Sequence, residues 1–245
     1  MFDATIKAET LKDVVAVVST LVDEVKLNIS KKGISLKAVD PAHVAMVNLS
    51  LHADAFEHLK ATECELGLDI DKLKDVLKLA LSDDTVTLHH DEERNRLVVG
   101  IGNVTRRMSL VDTTGMSDPQ VPNLALPAHV TLATADLTRG IRASESVSDH
   151  IVLVSGTDHF ELSSEGDTDS VDLRLEKDQL VEIDCKEPVR SLFSLDYFSN
   201  MIKSIGAAET VSIHLGTNFP VMIKFKIAGD KGDVTYLLAP RIEND

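Results

Sequence analysis

Cysteine is scarce in this 245-residue chain: Cys64 and Cys185 are the only two, and they belong to no motif. A disulfide framework and a cysteine-rich zinc site are therefore not expected, and a reducing cytoplasm is the simplest setting. Long apolar runs are lacking as well. The longest unbroken aliphatic stretch, Val14 to Val18, falls far short of the roughly 18 residues a membrane span needs. The opening Met1-Phe2-Asp3-Ala4-Thr5 has neither the basic start nor the apolar stretch of a secretory signal. Tryptophan is absent, and positive charge is in deficit: 25 Lys+Arg stand against 40 Asp+Glu, for a net charge of −15. A chain so acidic should on average avoid nucleic acid and anionic membranes, although local basic patches can persist. Asp outnumbers Glu 25 to 15, a bias that resembles the surfaces of salt-adapted proteins. What remains, 43% hydrophobic and 27% charged, reads as a soluble globular protein of one to two domains.

The usual marks of catalysis are missing too. The chain contains no nucleophile elbow, Walker loop or zinc-binding helix pattern. Gly100-Ile101-Gly102 is a GxG with neither a third glycine nor a following helix. His89-His90-Asp91-Glu92-Glu93 is the best metal-like cluster, and it supports an alternative reading as a metal-dependent hydrolase. Neighbours on a strand point to opposite faces, so the two histidines are poorly placed to share one ion. Ser148-Asp149-His150 has triad letters, but a triad is a matter of geometry rather than adjacency. No catalytic residue, metal ligand or cofactor is expected.

Punctuation concentrates at the midpoint. Pro119, Pro122 and Pro127, three of the seven prolines, lie between Thr113 and His129 with Gly115, Ser117, Asp118 and Asn123. This predicts an extended connector over 113–129 between an N-terminal domain, 1–112, and a C-terminal domain, 130–245. The halves repeat. Leu73-Lys74-Asp75-Val76-Leu77-Lys78 recurs 125 residues later as Phe198-Ser199-Asn200-Met201-Ile202-Lys203, followed in both cases by a strand ending in His89 or His214. At an offset near 126, Leu11 pairs with Leu137, and Ile34-x-Leu36 with Phe160-x-Leu162.

Four stretches carry apolar or small residues at helical spacing: Leu11, Val14, Val15 and Val18, continuing to Leu21 and Val22; Leu73, Val76, Leu77 and Ala80; Leu137, Gly140, Ile141 and Ser144; and Phe198, Met201, Ile202 and Ile205. Between them the chain alternates as strands do, with hairpin turns predicted at Lys31-Lys32-Gly33 and Gly156-Thr157-Asp158. The expected fold is α+β: helices covering antiparallel sheets in two similar domains. Only a narrow stripe of each helix is apolar, so the opposite face meets solvent or a ligand. Lys78, Arg142 and Lys203 each fall five residues after the first apolar anchor of their helix, roughly 140° round from the stripe. Arg139 lies on the same side, and Lys12 and Lys74 on the flank. In so acidic a chain, three basic residues at one helical phase point to a surface that faces phosphate.

Met1-Phe2-Asp3-Ala4, Asp40-Pro41-Ala42-His43-Val44 and the closing Leu238-Ala239-Pro240-Arg241-Ile242-Glu243 together resemble the proliferating cell nuclear antigen family of DNA sliding clamps, of archaeal type. The resemblance implies a non-enzymatic, pseudo-sixfold homotrimeric ring that encircles double-stranded DNA in the cytoplasm, at the nucleoid. A variant serving in a heterotrimeric damage-signalling clamp is the alternative within that class. The family tethers DNA polymerase, clamp loader, flap endonuclease and DNA ligase through short peptides. Carried over by position, Lys12, Lys74, Lys78, Arg139, Arg142 and Lys203 would face DNA. Asp13, Ser19, Asp75 and Asp196 replace frequent basic residues, leaving that wall poorer in positive charge. The client peptide would meet Val39, Ala42, His43, Val44, Leu124, Leu126, Pro220, Ala239 and Pro240. Subunits would join through edge strands at about 104–111, bearing Arg106 and Arg107, and about 171–177, bearing Asp172, Arg174 and Glu176.

Overall fold

A computed structural model describes residues 1–81, 83–116, 118–206 and 208–242. Ser117 of the expected connector and Glu243 of the closing motif lie outside them. The chain forms two compact units, Met1–Gln120 with Lys226–Val234, and Val121–Phe225 with Thr235–Asp245.

Unit 1 runs β1 (Phe2–Lys7), α1 (Ala8–Val18), β2 (Glu24–Ser30), β3 (Gly33–Val39), β4 (Ala45–His52), β5 (Phe56–Ala61), β6 (Cys64–Asp69), α2 (Ile70–Leu77), β7 (Thr85–Asp91), β8 (Arg96–Ile101) and β9 (Val104–Ser109). Its strands order as β5-β1-β7-β8-β9 and β4-β3-β2-β6. Unit 2 repeats the series: β10 (Ala128–Ala133), α3 (Thr134–Ser144), β11 (His150–Ser155), β12 (His159–Glu165), β13 (Ser170–Glu176), β14 (Glu182–Cys185), β15 (Val189–Ser194), α4 (Leu195–Lys203), β16 (Thr210–Leu215) and β17 (Val221–Ile227). β18 (Gly232–Leu238) closes the series; the last two residues of β17 and the first three of β18 are assigned to unit 1. Here the orders are β14-β10-β16-β17 and β13-β12-β11-β15. The order of elements is the same twice over, so the expected α+β duplication is borne out. α1 and α3, starting at residues 8 and 134, sit at the offset of 126 read from the sequence.

The duplication extends to single hydrogen bonds. The first N–H of α1 donates to the Asp84 carbonyl at 2.8 Å, and that of α3 to the Glu209 carbonyl at 2.9 Å. The first N–H of α2 donates to the Asp23 carbonyl at 2.8 Å, and that of α4 to the Asp149 carbonyl at 2.9 Å. Each satisfies one of the four orphan donors of a helix start. Only α2 adds a side-chain cap, the Asp69 carboxylate accepting from the Lys72 N–H at 3.0 Å.

The helical stripes are buried as predicted: Leu11, Val14, Val15 and Val18 in α1, Leu73, Val76 and Leu77 in α2, Leu137 and Ile141 in α3, and Phe198, Met201 and Ile202 in α4. Buried strand residues complete the cores, Phe2, Ile6, Leu36 and Leu66 in unit 1, and Val130, Leu153, Phe160 and Phe193 in unit 2. α1 stops earlier than its periodicity implies. It ends at Val18, and the Leu21 N–H makes a tighter bond to the Val18 carbonyl at 3.2 Å. The Thr20 hydroxyl bonds back to the Ala16 carbonyl at 2.9 Å, competing with the helical ladder. Leu21 stays buried in the turn, which is why the apolar pattern outruns the helix. Both predicted hairpin turns are present, joining β2 to β3 and β11 to β12. Among the described residues, no helix is long and apolar enough to cross a membrane.

Candidate nucleic-acid and partner interfaces

On the helices, the basic residues stand on the exposed side of the buried stripes. Lys74, Lys78, Arg139, Arg142 and Lys203 are exposed. Lys12 is half-buried, and its ammonium donates to the Ala80 carbonyl just past α2 at 2.7 Å. It therefore ties α1 to the end of α2, a role that spacing within α1 does not reveal. Three of the exposed cations have a carboxylate beside them. Lys78 pairs with Asp75 at 2.7 Å and Arg139 with Asp136 at 3.4 Å, each three residues earlier on the helix. Lys203 of α4 pairs across to Glu145, the residue after α3, at 2.5 Å. The Ser199 hydroxyl donates to the same Glu145 oxygen at 2.5 Å. Lys203 and Ser199 hold the Glu145 carboxyl below the usual range, and Lys78 does the same for Asp75. Among the described residues, Lys74 and Arg142 have no ion-pair partner. Asp13 is half-buried on α1, where burial and the neighbouring Glu9 raise its carboxyl. Asp196 is exposed in the first turn of α4.

In unit 1, the segment after β3 is organised by a residue the sequence reading left without a role. Asp40 is 2% exposed. Its carboxylate accepts from the backbone N–H groups of Ala42 at 3.0 Å, Val44 at 2.8 Å and Ala45 at 2.7 Å. This fixes His43 at φ 58°, in the left-handed region, and leaves Ala42, His43 and Val44 exposed beside half-buried Val39. An Asp ahead of Pro at a strand end was the available signal, because Asx side chains fold the following backbone onto themselves.

In unit 2, Leu124, Leu126, Pro220, Ala239 and Pro240 are half-buried. Leu126, Pro127 and Phe219 close over Gly216, where a Cβ would stand 3.3 Å from each. The turn that follows is pinned by buried Ser191, which donates to the Gly216 carbonyl at 2.7 Å and accepts from the Asn218 N–H at 2.8 Å. It presents Phe219 at 53% exposure beside Leu126. Phe219 was not among the expected residues, since alternation alone does not show that a phenylalanine at a turn stays outside. The Arg241 N–H anchors the closing segment to the Leu192 carbonyl at 2.7 Å.

β9 and β13 are both terminal strands in their sheet orders. On β9, Arg106 is half-buried and Arg107 exposed. On β13, Arg174 bonds both Glu161 and Glu176, the latter at 2.6 Å, so Glu176 is partly neutralised within its own strand. Among the described residues, Asp172, Arg106 and Arg107 have no ion-pair partner.

The other motifs resolve into ordinary structure. His89 points to Asp3, with Nδ1 at 3.1 Å from the carboxylate, whereas half-buried His90 has neither ring nitrogen hydrogen-bonded. Asp91 lies beside Arg96 at 3.3 Å, and Glu92 beside the Met1 ammonium at 2.5 Å. Among the described residues, no three His, Cys, Asp or Glu side chains stand in a metal-holding group. Gly100-Ile101-Gly102 forms the end of β8 and the turn into β9, with Gly102 at φ 54°. Ser148 accepts from the His150 N–H at 3.3 Å, a local turn rather than a relay. Cys64 and Cys185 are free thiols.

A duplicated α+β chain with cations on the outer faces of its helices has the architecture of a DNA clamp. Residues 1–114 match the proliferating cell nuclear antigen N-terminal domain and residues 120–241 its C-terminal domain, and the chain belongs to that family. It is 46% identical over 246 residues to a DNA polymerase sliding clamp of Methanococcoides burtonii, and 40% identical over 248 residues to one of Halobacterium salinarum, with all of both chains covered in each case. The structure of A. fulgidus PCNA bound to the C-terminal region of FEN-1 superimposes with a TM-score of 0.94 at 34% identity, covering 100% of each chain. The chain is thus a DNA sliding clamp, a processivity factor rather than an enzyme, as its opening, Asp40 and closing motifs implied.

Proposed function

We propose that three copies of this chain close head to tail into a ring around double-stranded DNA. The observation that carries the proposal is a difference between two equivalent edges. β4 and β13 hold the same place in the two series. β4 is flanked by Lys231–Asp233 of unit 1: the His52 N–H donates to the Lys231 carbonyl at 2.9 Å, and the His52 imidazole meets the Asp233 carboxylate at 3.0 Å. β13 ends its sheet, as does β9, the counterpart of β18. A long open edge invites another strand, and a second copy offering β9 to β13 would give unit 2 what unit 1 already has. Such a heterologous contact repeats around a rotation and closes into a ring. Arg106 and Arg107 then face Asp172, and closure at three copies follows the family resemblance. Exposed ion pairs contribute only about 0–1 kcal/mol each, so backbone pairing and apolar contact carry the stability.

Within the ring, Lys12, Lys74, Lys78, Arg139, Arg142 and Lys203 belong to the helices turned to DNA. Val39, Ala42, His43 and Val44, with Leu124, Leu126, Pro220, Ala239 and Pro240, receive client peptides from flap endonuclease, DNA polymerase, clamp loader and DNA ligase. The FEN-1 segment on the A. fulgidus relative supports the first of these clients. The setting is the cytoplasm, at the nucleoid, at elevated salt, which the Asp excess and the Halobacterium relative support. Light scattering on the purified chain tests the assembly. Three copies of 26.7 kDa make a particle of about 80 kDa across salt concentrations. A monomer at every salt and protein concentration would overturn the homotrimer and point to a clamp that needs other subunits.

A further inference from the structure

We propose that Asp75, Asp136 and Glu145 are built-in counterions of the DNA-facing helices, holding back Lys78, Arg139 and Lys203 and leaving Lys74 and Arg142 as the principal phosphate contacts. The inference rests on the reading that these helix faces meet DNA. The six basic residues divide into three groups by what each touches. Lys12 is spent on the Ala80 carbonyl. Lys78, Arg139 and Lys203 each have a carboxylate at 2.7, 3.4 and 2.5 Å. Lys74 and Arg142 have no ion-pair partner among the described residues.

The pairing follows from placement. Asp75 and Asp136 stand three residues before their cations, so each pair shares a helix face. Glu145 caps the end of α3 and Lys203 ends α4, two helices that lie against each other. Glu145 is also fixed by Ser199, which is 3% exposed, so this carboxylate is held by a second donor and does not wander. Both units carry the device, on α2 in one and on α3 and α4 in the other.

The consequence is electrostatic. An exposed pair is weak enough for a phosphate to displace the carboxylate. The displaced carboxylate stays on the same face, where it repels the incoming phosphate. Trading one anion for another at nearly equal free energy gives a shallow contact, one that lets DNA move rather than fixing its register. A free lysine or arginine releases condensed counterions from DNA and contributes fully to affinity.

Anisotropy titrations of the assembled full-length protein with a fluorescent duplex of about 25 base pairs, over a salt series, test this. The variant D75N/D136N/E145Q should bind about tenfold more tightly at low salt, with the slope of log K against log salt steeper by about 0.9 for each phosphate newly neutralised. D75N/D136N should show the same trend with the Glu145–Ser199 contact intact. D54N/E57Q/E63Q, at exposed positions outside the four α-helices, changes net charge equally and should leave affinity within about twofold. K74A/R142A should weaken binding about tenfold and K78A/R139A/K203A no more than about threefold. If K74A/R142A weakens binding while D75N/D136N/E145Q gains no more than the D54N/E57Q/E63Q control, the counterion proposal is overturned and the DNA-facing helices stand. If K74A/R142A has no effect, the DNA-facing reading falls and the proposal with it.

Discussion

At the scale of single residues, burial and neighbours decide what a side chain can do, and His214 is a clear instance. It stacks on His129 from the adjacent strand, with ring centroids 4.5 Å apart and planes 11° from parallel. Burial, Lys224 and His129 together depress its pKa from the ordinary 6.5 to about 4. Glu182 sits 4.0 Å from the His129 ring on the far side. The folded protein keeps His214 neutral, while the unfolded chain binds a proton as pH falls below 6.5. Stability is therefore unaffected above pH 6.5 and is lost progressively between pH 6.5 and about 4. The variant H214Q should lose less thermal stability over that window than the parent, read as melting temperature against pH at fixed salt. Parallel curves for the two proteins would refute this assignment. Asp40 teaches the same lesson from the other side: its letter was visible in the sequence, but its three backbone partners were not.

Secondary elements were the most legible level. The apolar stripes at 11–18 (running on to 22), 73–80, 137–144 and 198–205 predicted four helices, and the offset of 125–126 predicted that they recur in pairs. Spacing fixes which face of one helix a residue occupies, but it says nothing about which neighbour lies beside that face. The Glu145–Lys203 pair joins positions 58 apart, and the Lys12–Ala80 bond positions 68 apart; no local pattern signals either. Gly67 shows how tightly elements meet where the sequence gives only a small residue. The Val111 N–H donates to the Gly67 carbonyl at 2.9 Å, stitching the segment after β9 to β6. A Cβ at Gly67 would stand 2.2 Å from the Val111 carbonyl oxygen, which is backbone and cannot rotate away. G67A should therefore cost roughly 2 kcal/mol in denaturant unfolding and raise hydrogen exchange at Val111. Wild-type stability in G67A would mean that the segment after β9 does not depend on this approach.

For the whole molecule, the question is how so acidic a protein stays on DNA. In the proposed trimer, three chains of −15 carry −45, so long-range attraction to a polyanion is poor. Among the described residues of the α-helices, the two exposed cations without an ion-pair partner, Lys74 and Arg142, would make six in the proposed trimer. With a slope of about −0.9 per phosphate contact, six contacts lose about seven orders of magnitude in affinity over a twentyfold rise in salt. Electrostatic affinity does not survive that change, whereas a closed ring does. Retention should thus be topological, with the cations easing DNA through the hole rather than gripping it. Rings loaded on nicked circular DNA should persist at molar salt and leave within one dissociation time once the circle is cut. K74A/R142A should weaken binding to short linear duplexes at low salt yet scarcely change the lifetime on circles at high salt. The readout is fluorescent clamp retained on immobilised DNA before and after cleavage, with the trimer checked by light scattering. If K74A/R142A rings left intact circles as fast as cut ones while remaining trimeric, charge rather than closure would be holding the clamp on DNA.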